Sequence, residues 1–210
     1  MVEMAAIANA TGLTPDKPGM HGPACSREEL NSVLVPQSAG GVLSSGEGRV
    51  DYTIGKGVAP GVFVVAEMDH PRVRERMEDL KMGKGPYFTF FRPYHLTSLE
   101  VPLTCARVAL YGKADMVPMP VPVAEVCAVA KKDMAVGESL DQIGEYCYRA
   151  WIMTAPEARS AGAIPCGLLA GSKVTAPIRK GDLITRANTA VPVNSKIALL
   201  RARQDKMLGL

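Results

Sequence analysis

Hydrophobic positions in the first half of the chain predict helices separated by short strands. Apolar residues occupy nearly every side of segment 2–11, which predicts a helix closed by Gly12 in the left-handed conformation. Because a helix that is apolar all round is normally covered on several sides, we expect a further N-terminal part or a partner subunit to cover it. Gly61–Glu67 is an apolar run typical of a buried strand, and Pro71 then begins a helix with one apolar stripe.

The most aromatic stretch of the chain is Lys84–Leu96. Within it, Tyr87–Arg92 places large apolar groups on both faces, which predicts an internal strand that ends at the following proline. We therefore expect Arg92, Tyr94 and His95 at the C-terminal end of this strand, where polar groups often meet a ligand in α/β folds. The alternative interpretation is an aromatic core strand followed by a surface turn.

The first domain ends with a helix and a linker, after which the pattern changes. Ser98–Tyr111 predicts a buried helix despite an internal proline. Met116–Val123 alternates proline with apolar residues, which is typical of an extended linker. Beyond the linker, short strands and turns begin with Ala124–Ala130. The pattern predicts an α+β fold in which an α/β domain over 1–122 is followed by a mostly β module over 123–210.

Composition narrows the range of functions. The chain has 210 residues, of which 47% are hydrophobic and 21% charged, as expected for an ordinary globular protein. No apolar run approaches the ~20 residues that span a bilayer, and a net charge of +3 is too small to indicate nucleic-acid binding. Five dispersed cysteines without a C-x-x-C pair predict reduced thiols and a cytoplasmic location.

Two carboxylates lie at the end of the apolar strand Gly61–Glu67: Glu67 itself and Asp69, two residues later. If the strand continues, Glu67 and Asp69 point the same way and could share a divalent cation. The alternative is a helix-start anion beside a solvated neighbour.

Two stretches of the second half resemble the SAF module, the β-clip fold found at the antifreeze-like end of sialic acid synthases. They are Ala130–Leu140 and Ala176–Thr185, and each places Lys or Arg ahead of a Gly-Glu or Gly-Asp turn. The whole chain is similar to the later two-thirds of homoserine-dehydrogenase-like oxidoreductases that end in such a module, including deoxyxylulose-phosphate reductoisomerase-like enzymes of isoprenoid synthesis. This wider resemblance rests on Glu3–Leu13, Gly19–Pro23, Pro60–Val65 and Gly85–Leu96.

The resemblance implies a division of labour. In that family an N-terminal Rossmann domain holds NADP, a central α/β domain binds the substrate and helps to form the dimer, and the SAF barrel follows. This sequence contains no glycine-rich nucleotide loop with its flanking strand and helix. The resemblance therefore implies an NADP-dependent oxidoreductase whose nucleotide domain is not in these residues, so that the chain would not transfer hydride alone. It also implies a homodimer, or association with a nucleotide-binding partner.

Reduction of a small phosphorylated or hydroxy substrate needs cations for the phosphate, a donor that polarises the carbonyl and often a divalent ion. The candidates are Arg92 and Lys84 for the phosphate, His95, Tyr94 and His21 for acid–base chemistry, and Asn9 and Glu3 for the nicotinamide end of the cofactor. Structural alternatives are an ion pair for Arg92, a solvated loop charge for Lys84 and a helix-end cap for Asn9. The alternative function is a non-catalytic SAF-type module for ligand binding or assembly.

Overall fold

The computed structural model describes residues 1–94 and 96–210, with only the backbone of Thr97. Helices and strands in small sheets give the predicted α+β fold. In chain order the elements are α1 (Val2–Thr11), β1 (Thr14–Pro15), α2 (Leu30–Val33), β2 (Arg49–Val50), β3 (Val62–Glu67), α3 (Pro71–Asp79), β4 (Tyr87–Arg92), α4 (Thr97–Tyr111), β5 (Ala124–Ala130), β6 (Tyr148–Thr154), α5 (Ala155–Ser160), β7 (Lys173–Val174), β8 (Thr189–Ala190) and α6 (Lys196–Leu208). None of the described helices is long and apolar enough to cross a membrane.

The chain forms two compact units. Met1–Met20 packs with Pro118–Leu210, and we call this pair of segments the discontinuous unit; His21–Val117 is the inserted unit. The sequence-based division kept 1–122 together, whereas in the structure the first twenty residues pack with the C-terminal segment. The roles assigned to 1–122 as a substrate domain and to 123–210 as an SAF module stay predictions.

An antiparallel pair of strands organises the discontinuous unit. β5 pairs with β6 from Ala124 opposite Thr154 to Ala130 opposite Tyr148. Helix α1 buries Ala5 and Ala8, and Gly12 ends it at a φ of 80°, as predicted. The largest side chains of the unit's core are fully or almost fully buried: Tyr148, Ile152, Ile164, Leu169, Ile178 and Ile184.

The two stretches behind the SAF resemblance form similar turns in the structure. The Glu138 carboxylate accepts the N–H of Ala135 (3.2 Å), and the Asp182 carboxylate accepts the N–H of Arg179 (2.9 Å). In both turns the preceding glycine has a left-handed backbone, with φ of 88° and 92°. The SAF assignment itself stays a prediction.

The inserted unit is built on β3 and β4, which pair antiparallel from Val62 opposite Arg92 to Glu67 opposite Tyr87. One face of this pair places Phe63, Val65 and Phe91 against the buried cluster that includes Leu30 and Leu34. The other face leaves Val62, Val64 and Phe90 exposed. Strand β4 was predicted to be internal, but among the described residues its only ladder partner is β3. Apolar groups on both faces do not require two flanking strands.

Helix α4 forms over the predicted residues and ends at Gly112, whose φ is 62°. It was predicted to be buried, and this was wrong: Leu99, Leu103 and Leu110 are about 70% exposed. The composition favours a helix at these positions, but burial requires a second surface that a local sequence pattern does not specify.

Candidate functional site

A cationic groove with an aromatic wall lies in the inserted unit. Its volume is about 760 Å³, within the range of small-molecule sites. We call it the β3–β4 groove, and its lining residues are Arg27, Val62, Phe63, Val64, Lys81, Met82, Thr89, Phe90, Phe91 and Arg92. Three cationic side chains therefore border a lining of apolar residues from both faces of the strand pair, an arrangement suited to an anion attached to a small carbon skeleton.

Arg92 stands at the end of β4, and its surroundings combine two predicted residues. Its guanidinium carbon lies 5.3 Å from the ring centroid of Tyr94, within cation–π range. The same guanidinium forms a salt bridge with Glu100 of α4, whose carboxylate also accepts the N–H of Leu96 (2.9 Å). The structural alternative for Arg92, an ion pair, is therefore present. Because its side chain is 56% exposed, an anion from solvent could still reach it.

Arg27 and Lys81 were not identified from the sequence. The Arg27 guanidinium carbon lies 4.5 Å from the centroid of the Phe91 ring, so the two side chains form a cation–π contact. Lys81 follows α3 with a left-handed backbone, φ 62°, which is uncommon for a residue with a side chain. No local pattern marks either position, because each reaches the groove through the tertiary fold.

Thr89 lines the groove, and its hydroxyl group is buried. Its Oγ1 has no hydrogen-bond partner among the described residues. A ligand hydroxyl or carbonyl that reached this atom would satisfy a buried polar group, whose unpaired state costs about 1–3 kcal/mol. The alternation of β4 places Thr89 on the same face as Phe91, as the sequence predicts.

Other predicted groups lie away from the lining of this groove. Lys84 is an exposed loop residue, in keeping with its structural alternative. His21 is half-buried, and its backbone N–H donates to the Asp51 carboxylate (3.0 Å). His95 lies outside the described residues. The acid–base roles of the two histidines and the phosphate role of Lys84 stay predictions.

The carboxylate pair lies at the other end of the strands. β3 ends at Glu67, and Asp69 forms a 3.9 Å salt bridge with Arg74. Partial removal from solvent raises the pKa of Tyr87, and the negative charges of Glu67 and Asp69 act in the same direction. The part of the chain described contains no group of three or more potential metal ligands. A divalent ion held by this pair would therefore need water or substrate oxygens, as Mg²⁺ commonly does.

Asn9 connects α1 to the start of β5. Its Oδ1 accepts the N–H groups of Val123 (2.8 Å) and Ala124 (3.0 Å), and its Nδ2 donates to the Ala124 carbonyl (3.1 Å). These three bonds give the side chain a structural role that differs from the helix-end cap considered above. Glu3 is exposed in the first turn of α1. Contacts of Asn9 and Glu3 with a nicotinamide stay predictions.

Residues 1–101 match the family model described as "Oxidoreductase DRL, catalytic domain". This stretch, just under half of the chain, is similar to the catalytic domain of that oxidoreductase family. Every residue that lines the β3–β4 groove lies within the matched residues. No curated protein matches the chain. The oxidoreductase part of the sequence-based expectation is thus supported, whereas its substrate and its use of NADP stay predictions.

Proposed function

We propose that this chain supplies the substrate-binding part of an NAD(P)-dependent oxidoreductase that acts on a small phosphorylated hydroxy or carbonyl compound. The proposed substrate class is that of deoxyxylulose-phosphate reductoisomerase-like enzymes in isoprenoid synthesis. The observation behind this proposal is the β3–β4 groove, which combines three cations with an aromatic wall inside the matched oxidoreductase domain.

The charge balance of the groove favours a phosphate. Arg27, Lys81 and Arg92 bring three positive charges, and Glu100 offsets one of them through its salt bridge with Arg92. The remaining charge matches the charge of a phosphate monoester, and arginine offers two parallel donors to its oxygens. The apolar lining would contact the carbon skeleton of the substrate, while the three exposed cations meet its phosphate.

The carbonyl end of the substrate needs neutral donors. Thr89 Oγ1 is the buried hydroxyl of the groove, and Tyr94 places a phenol beside Arg92. In the proposed arrangement Thr89 orients a substrate hydroxyl, while Tyr94 or His95 donates a proton to the reduced carbonyl. NADP would supply the hydride, held by nucleotide-binding residues outside these 210, and a homodimer or a nucleotide-binding partner would complete the enzyme.

Calorimetric titration of the whole chain with deoxyxylulose 5-phosphate tests the proposal, with the sugar lacking phosphate as the matched ligand. We expect binding of the phosphorylated sugar, and at least about tenfold weaker binding after Lys81→Gln or Arg27→Gln, since one charge-assisted hydrogen bond contributes about 1.5–3 kcal/mol. Lys113→Gln removes an exposed cation outside the groove and is the control. Equal affinity for the two sugars would contradict the phosphate assignment.

A second titration, with NADPH, addresses the cofactor separately. Tight binding of NADPH by this chain alone would contradict the proposal that residues elsewhere hold the nucleotide. The alternative function, a non-catalytic SAF-type module for ligand binding or assembly, predicts that Lys81→Gln and Arg27→Gln leave any binding of the sugar unchanged, since residues 123–210 would hold the ligand.

A further inference from the structure

A second cavity lies in the discontinuous unit, outside the matched oxidoreductase domain. Its volume is about 220 Å³. Three arginines, Arg159, Arg186 and Arg201, share its lining with the carboxylates of Glu125 and Asp205 and with an apolar wall that includes Ala158. We call it the arginine cavity. The cavity is partly open to solvent, and Arg159 and Arg186 are exposed residues at its border. Five charged side chains around a small volume favour a polar occupant.

Arg201 forms salt bridges with both carboxylates of the cavity, Glu125 and Asp205. Arg201 Nη1 lies 2.6 Å from Glu125 Oε2, and its Nε donates to Asp205 Oδ1 at 2.7 Å. Burial alone would lower the pKa of Arg201, but the hydrogen bonds and negative charges of Asp205 and Glu125 outweigh it and raise the pKa. The triad of one arginine and two carboxylates therefore has a formal net charge of one negative unit, with both carboxylates already paired.

Arg159 and Arg186 supply the excess positive charge. Neither guanidinium has an acidic partner in the described part of the chain. Together they outweigh the triad, so the charged side chains of the cavity sum to one positive unit. A cation would meet two unpaired arginines there, whereas an anion would gain two partners.

The backbone holds these two arginines beside each other. Arg159 lies in the last turn of α5, which a Thr154–Glu157 capping box stabilises at its start. Arg186 donates its backbone N–H to the carbonyl of Gly162 (2.9 Å), immediately after that helix. The two side chains therefore start from fixed neighbouring positions, which lowers the conformational cost of binding an anion between them.

We propose that the arginine cavity binds a small organic anion, a short-chain carboxylate or a phosphate ester, between Arg159 and Arg186. Both head groups match the planar guanidinium fork. A volume of about 220 Å³ equals that of about seven water molecules, which admits an anion with a short carbon chain but not a nucleotide. The apolar wall at Ala158 would contact the carbon chain of the ligand.

Titration calorimetry of the whole chain at low ionic strength tests this site, with butyrate and inorganic phosphate as anions and 1-butanol as the neutral probe. We expect one anion to bind and butanol not to bind. The preferred anion identifies the head group. Arg159→Gln and Arg186→Gln each weaken its binding at least about tenfold, the effect of losing one charge-assisted contact. Arg179→Gln, an exposed arginine of the same unit that does not line the cavity, leaves binding unchanged.

Three outcomes would overturn the site: no binding of either anion, equal binding of butanol, or wild-type affinity in the Arg186→Gln variant. If that variant unfolds, Arg186→Lys keeps the charge but removes the fork, and we expect it to bind more weakly than the wild type while melting at the same temperature. The site is independent of the proposed oxidoreductase function. Because Arg159 does not line the β3–β4 groove, Arg159→Gln is expected to leave the weakening caused by Lys81→Gln in the titration with deoxyxylulose 5-phosphate unchanged.

Discussion

Replacing Asn9 by alanine removes the polar connection between α1 and β5. Three hydrogen bonds disappear, and the N–H and C=O groups of Ala124, a residue only 2% exposed, lose their side-chain partner. A net hydrogen bond contributes about 1 kcal/mol, and a buried polar group left unpaired costs about 1–3 kcal/mol. Water can reach the half-buried Val123, so its lost bond costs less. We expect Asn9→Ala to lower the free energy of unfolding by about 2–4 kcal/mol.

Urea denaturation followed by the fluorescence of Trp151 measures this loss. Trp151 is the only tryptophan of the chain and lies in β6, the partner strand of β5, so it reports on the unit that Asn9 stabilises. With a slope of about 2 kcal/mol per molar urea, the midpoint is expected to fall by about 1–2 M.

Two variants control the Asn9 experiment. Asn194→Ala truncates an exposed asparagine and is expected to stay within about 0.5 kcal/mol of the wild type. Asn9→Asp keeps an oxygen that accepts both N–H groups but loses donation to the Ala124 carbonyl, so an intermediate value is expected. If Asn9→Ala matched Asn194→Ala, the hydrogen bonds to Val123 and Ala124 would not hold α1 in place.

Three further predictions concern other parts of the chain. A Cβ atom on Gly19, whose φ is 81°, would lie 2.2 Å from the Trp151 ring, so Gly19→Ala is expected to lower the melting temperature and shift Trp151 emission; unchanged values would refute this packing. Cys105 is the one exposed cysteine of the five, so Ellman's reagent is expected to label one thiol in the native chain and none in Cys105→Ser. Burial opposes ionisation of Asp141, but hydrogen bonds from two backbone N–H groups outweigh it and lower its pKa. Its contribution to stability is therefore present above the unfolded pKa of about 3.9 and lost as the pH falls through the folded pKa, so Asp141→Asn is expected to flatten the acid side of the stability profile, and identical profiles would contradict this.

The elements that could be predicted are those whose signals are local. Gly12 ends α1 because glycine tolerates a left-handed backbone, and the alternation of Tyr87–Arg92 forms β4. Helix α4 forms for the same local reasons, yet its exposure could not be predicted, because burial depends on which surfaces meet. The same limit applies to Asn9, whose partners lie more than a hundred residues further along the chain.

In the candidate site, too, residues with a local sequence signal could be predicted, and residues brought in by the tertiary fold could not. Arg92 was predicted because it ends an aromatic strand, and Tyr94 lies beside it as expected. Arg27 and Lys81 enter the groove from segments with no aromatic or strand signal, so no local pattern connects them to β4. The arginine cavity was missed because its charged side chains come from β5, α5, α6 and the loop residue Arg186, which are far apart in the sequence.

The discontinuous unit also has a consequence for the order in which the chain folds during synthesis. Helix α1 leaves the ribosome early, but β5, the strand that it contacts, is translated only after the whole of His21–Val117. At about 5–20 residues per second, the nascent helix waits for seconds without its partner, and the contiguous inserted unit can fold in that interval. A ribosome that stops before Ala124 would leave the apolar sides of α1 open to chaperones. The docking of α1 therefore depends on a strand that is synthesised more than a hundred residues later.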